Sequence, residues 1–93
     1  MSGWTELLAL AERELELVRG GDAGALPAAI EERARLAASL GAAPASARPV
    51  LERLAEVQHQ ILVELTLARG EIVRELGTLQ RGRGAVRGYR ATA

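Results

Sequence analysis

The sequence predicts an all-α fold, an antiparallel helical hairpin packed on a long third helix, with a flexible basic C-terminal tail. Three observations predict it. Large apolar residues recur at intervals of three and four through three separate segments, the signature of helices with one buried face. Two breaker-rich stretches divide those segments, one at Gly20-Gly21-Asp22 and one from Leu40 to Arg48. The third segment is about twice as long as either of the others, so its own stripe outruns what they can cover.

The first helix spans Trp4 to Arg19. At 100° per residue, Trp4, Leu7, Leu8, Ala11, Leu15 and Val18 fall within about 50° of one direction, which makes a regular amphipathic stripe. Gly20 and Gly21 end it, and Asp22 is placed to cap the next helix, the punctuation of a tight turn between antiparallel helices. Pro27 suits only a first turn, so the second helix, which runs to Leu40, either starts near Leu26 or bends there. Its stripe reads Leu26, Ile30, Ala37 and Leu40, with Arg33 in the middle. That charge inside an apolar stripe predicts an arginine whose stem packs between helices while its guanidinium reaches the rim and pairs with a carboxylate such as Glu14.

The third helix runs from Pro49 to Arg81 with no proline inside it, and carries Leu54, Val57, Ile61, Leu65, Ile72, Leu76 and Leu79 on its main stripe. Val63 and Leu67 point away from that stripe, as expected of a helix contacted on more than one side. With the first helix parallel to the third and the second antiparallel between them, Trp4 lies level with about Val50 and Val18 with about Glu64. Cover then ends near Leu65. Leu65, Leu67, Ile72, Val73, Leu76 and Leu79 are left over, side chains whose full burial is worth roughly 1.5 to 3 kcal/mol each. Past Arg81, glycines at 82, 84 and 88 weaken the helix. The chain therefore divides into a helical domain over 1–81 and a partly disordered Arg/Gly-rich tail over 82–93, in which Val86 and Tyr89 are spaced as a single turn requires.

Composition narrows the function. Ninety-three residues suffice for one small domain. There is no cysteine, hence no disulfide framework and no thiolate metal site. The opening residues are punctuated by Glu6, Glu12, Glu14 and Glu16, which argues against a signal peptide. No segment approaches the ~20 apolar residues of a membrane span, and a cytoplasmic setting is expected. The net charge of zero hides an asymmetry: up to Gln80 there are eight arginines against twelve acids, while Arg81, Arg83, Arg87 and Arg90 lie beyond. Such a division suggests a tail with its own task.

Catalytic chemistry finds no support. The sole histidine, His59, stands three residues after Glu56 in the spacing of one di-iron half-motif, but both project to the back of the third helix and the remaining carboxylates are missing. No hydroxyl has a base partner by sequence, and the Gly82-x-Gly84 pair follows a helix rather than the strand a phosphate loop needs. The expected protein is not an enzyme and needs no cofactor or metal. The four arginines from Arg81 onward, with one tyrosine, could touch nucleic acid, yet the acidic body argues against it.

The opening Trp4, Leu7, Leu8 and Leu10, the turn Gly21-Asp22-Ala23-Gly24-Ala25-Leu26, the stretch Ile30-Glu31-Glu32-Arg33 and the terminal run Arg81 to Tyr89, most specific in Gly82-Arg83-Gly84-Ala85-Val86-Arg87-Gly88-Tyr89, carry a resemblance. With them the chain resembles the FliT/FlgN class of flagellar type III export chaperones. Members of that class are small cytosolic helical proteins that hold late flagellar subunits, filament cap or hook-filament junction proteins, and bring them to the export gate. The resemblance implies that the uncovered stripe, Leu65, Ile72, Val73, Leu76 and Leu79, takes an amphipathic client helix. It likewise implies that Tyr89, with Val86, serves docking on the export gate. The alternative is a homodimeric coiled-coil scaffold or adaptor, in which two copies pair these stripes antiparallel and no export role exists.

Overall fold

The computed structural model describes residues 2–92, and the side chains as far as Gly82. It contains three helices, α1 (Gly3–Arg19), α2 (Leu26–Ser39) and α3 (Arg48–Thr92), and a short 3-10 turn at Ala45–Ala47. They assemble as the hairpin on a long third helix that the sequence predicts. The result is a rod 72 Å long and about 20 Å across, its length set by α3.

Local chemistry accounts for each boundary. Ser2 caps α1, its hydroxyl accepting the backbone N–H of Thr5. At the other end Gly21 adopts φ +70, a left-handed conformation natural to glycine. There the N–H of Asp22 reaches the carbonyl of Leu17 and that of Gly21 reaches Val18, the paired bonds of a Schellman cap. Asp22 does not cap α2 directly. Its carboxylate accepts the N–H of Ala25, which shapes the turn, and Ala25 itself occupies the cap position ahead of Leu26 and Pro27. The hairpin closes tightly at its open end as well, where a Cβ on Gly3 would run into the side chain of Leu40.

The core is small. Ala11 and Leu15 of α1 pack with Val57 and Ile61 of α3, flanked by Leu8, Val18 and Leu54. The order of packing differs from expectation: α1, not α2, is the central helix and packs against both others, while α2 meets α3 sparingly. The face of α2 is also rotated. Ile30 is 41% exposed and Ala37 is exposed, whereas Ala29 is buried and Leu36 half-buried. The reason is steric and electrostatic together: the small Ala29 lets α2 approach α1, and Arg33 is drawn to the buried Glu14.

That pairing is the predicted one. Arg33 Nε lies 2.5 Å from Glu14 Oε2, with both atoms shut from solvent, and a second guanidinium nitrogen donates to Glu14 Oε1. The remaining guanidinium nitrogen donates to the side-chain carbonyl of Gln58, and this bond links α2 to α3. One guanidinium therefore joins all three helices, with its fork geometry fixing how they rotate against one another.

The backbone of α3 remains helical through Thr92, past the boundary expected after Arg81. The expectations for residues 83–93, Val86 and Tyr89 included, fall outside the described side chains.

Candidate functional site

The candidate site arises from one geometric fact, that α3 keeps the same apolar face along its length while its cover ends partway. Leu54, Val57, Ile61, Leu65, Ala68, Ile72, Leu76 and Leu79 all lie within about 60° of a common direction at 100° per residue. As far as Ile61 this face is packed against α1. Leu65 marks the edge at 36% exposure, and beyond it Ile72, Leu76 and Leu79 are exposed. Of the residues expected to take a client, Val73 is the exception in direction. It is exposed, but sits about 100° round the helix from Ile72 and belongs to a different surface.

Polar side chains of the distal segment bond within their own helix: Thr66 to the carbonyl of Leu62, Arg74 to that of Gly70, Thr78 to that of Arg74, and Arg81 to Thr78. At the near end of the segment the turn between α1 and α2 overhangs a cleft of about 230 Å³ lined by Leu17, Val18, Leu26, Leu65 and Ile72, with Asp22 on its wall. Here the core opens onto the bare stripe without a polar break. Helical period alone does not mark Leu17 and Leu26 as site residues. Leu26 is already on the α2 stripe, and the one signal for Leu17 is a large apolar residue about 130° off the α1 stripe, at the end nearest the turn.

Charge borders the stripe unevenly. Glu64, Glu71 and Glu75 follow one edge, and Arg69 stands on the other. Glu64 is engaged by Arg19 of α1 at 3.6 Å. A second, shallower apolar patch lies on the far side of α3, where Leu62, Val63 and Leu67 surround His59 and Thr66. His59 is exposed beside this patch and Glu56 pairs with Arg53 in its own helix. Among the described residues no group of three His, Asp or Glu side chains is arranged to hold a metal, and no helix is long and apolar enough to cross a membrane.

The arrangement offers large apolar side chains at helical spacing on one helix face, next to an open cleft. No protein-family model, curated protein or solved structure matches the chain.

Proposed function

We propose that this chain is a non-enzymatic, cytoplasmic binding protein of the flagellar export-chaperone type. Its ligand is an amphipathic helix of a late flagellar subunit, a filament cap or hook-filament junction protein, which it holds on the distal face of α3 and delivers to the export gate. The observation that carries the binding half of this reading is the bare stripe from Leu65 to Leu79, collinear with the core and left in solvent. Four large apolar anchors exposed along one helix face form the kind of contiguous patch that marks an interaction site. The export half rests on the resemblance of the opening helix, the Gly21–Leu26 turn and the Gly82–Tyr89 run to that class.

The two regions serve separate steps. The stripe suits burial of a client helix, whereas the tail offers charge and one aromatic, Tyr89, for weak and reversible contact. Ile72→Asp or Leu76→Asp should abolish capture of the client in a pull-down from a motile cell lysate while leaving the unfolding midpoint in place. Tyr89→Ala should leave capture intact and impair secretion. Equal loss of client affinity in Tyr89→Ala and Leu76→Asp would place the tail inside the groove.

The same exposed stripe admits a second reading, the homodimeric scaffold, in which two copies pair Leu65, Ile72, Leu76 and Leu79 antiparallel. A dimer mass by light scattering that no client disrupts distinguishes it.

A further inference from the structure

The interface between α1 and α3 ends because α1 ends, not because the surface of α3 changes. Two features of that interface continue unaltered onto the bare segment. The first is the apolar line, from Val57 and Ile61 to Leu65 and Ile72. The second is the charged edge beside it. Along this edge Arg53 faces Glu12 of α1 at 3.7 Å and, further on, Glu64 faces Arg19 of α1 at 3.6 Å. Glu71 and Glu75 lie on the same edge, within about 20° of Glu64 around the helix. Both are exposed, and among the described residues neither forms an ion pair. The opposite edge carries the exposed Arg69.

We propose that the distal stripe is selective for an amphipathic helix bearing arginine or lysine along the edge that meets Glu71 and Glu75, seated end to end with α1. The proposal rests on reading the stripe as the client site, and it deepens that reading by stating the chemistry of the client. α1 is the template for the occupant. It lays small and branched apolar residues on Val57 and Ile61 and sets Arg19 against Glu64. A helix continuing its line would meet Leu65, Ile72 and Leu76 with its apolar face and the next two carboxylates with its edge. Its near end would enter the cleft under the Gly20–Asp22 turn, where Leu17, Val18 and Leu26 complete the apolar wall. Exposed ion pairs add little affinity individually, so their contribution is selection of the partner and of its orientation.

The test uses the full chain and three synthetic helical peptides of about 20 residues. They share one leucine face and differ along one edge, which is arginine, glutamine or glutamate. Fluorescence anisotropy at low salt should show the arginine peptide binding about tenfold tighter than the glutamine peptide, with the advantage shrinking as salt rises. In Glu71→Gln/Glu75→Gln that advantage should vanish. In Glu71→Arg/Glu75→Arg the preference should pass to the glutamate peptide. Equal affinities for the arginine and glutamine peptides, all lost in Leu76→Asp, would overturn the charge selection and leave the client site standing. Binding of no peptide, or binding that survives Leu76→Asp, would overturn both. A dimer that Leu76→Asp dissolves and saturating arginine peptide does not would assign the face to a second copy and overturn the proposal.

Discussion

Ile61 and Ile72 share one face of α3, about three turns apart, and meet opposite fates: Ile61 is 1% exposed and Ile72 56%. The residue type, the helix and the face are the same. Only the neighbour differs, since α1 lies over the first and ends before the second. An apolar stripe read from sequence therefore identifies a face and not a core. Whether the face stabilises the fold or remains open for a partner depends on how far the rest of the chain can reach. In the proximal half the stripe works with the Glu14–Arg33–Gln58 link to hold three helices together. In the distal half, past the cleft at Ile72, it adds little to tertiary packing among the described residues, and α3 there is held by its own backbone bonds.

Truncating both isoleucines puts this contrast at risk most directly. Ile61→Ala should cost about 2 to 5 kcal/mol, because it removes a fully buried side chain from a core of few members. Ile72→Ala should stay within about 0.5 kcal/mol. Urea denaturation of the two variants checks this, and similar losses in both would mean that the distal face is covered in solution. A smaller effect is expected at the joint of the three helices. Arg33→Ala should cost about 1 to 3 kcal/mol, since it strands the buried Glu14 carboxylate and removes the packed arginine stem. The double change Arg33→Met/Glu14→Leu should recover much of that loss, as an apolar pair has no charge to strand. The denaturation midpoint separates the two, and a midpoint unmoved by Arg33→Ala would show that the link is not formed.

The smallest effect probes the same contrast from the distal side. A Cβ at Gly70 meets open space, so Gly70→Ala should strengthen the local helix by roughly 0.5 to 1 kcal/mol. Because the segment beyond Ile72 is largely solvated, this should appear as helical circular dichroism retained to higher temperature, while the unfolding midpoint of the core stays in place. A midpoint that rises with it would join the two halves into one cooperative unit.

Most of the candidate site is legible in the sequence. The line from Leu54 to Leu79 is a matter of helical period, and the end of cover near Leu65 comes from comparing helix lengths. Gln58 is not legible as a structural partner. Nothing in a polar residue beside a stripe announces that an arginine from another helix will reach it. The cleft is equally hidden, since it is made jointly by the turn after α1, the first turn of α2 and a stretch of α3 some forty residues later.

Short-range chemistry governs the features that can be read without a structure: three helices, their breaks at Gly20–Asp22 and Leu40–Arg48, the face each one buries to within a residue, and an excess of stripe on the third. Backbone hydrogen bonds and glycine or proline conformations act over a few residues, so their effects are local. The rotation of α2 and the central place of α1 are settled by packing instead. Two registers of α2 pass through Leu26, Arg33 and Leu40; one adds Ile30 and Ala37, the other Ala29 and Leu36. They differ by a modest turn about the helix axis and satisfy the same period. The choice falls to the surface opposite, where small Ala29 permits close approach to α1 and Glu14 waits for the guanidinium of Arg33.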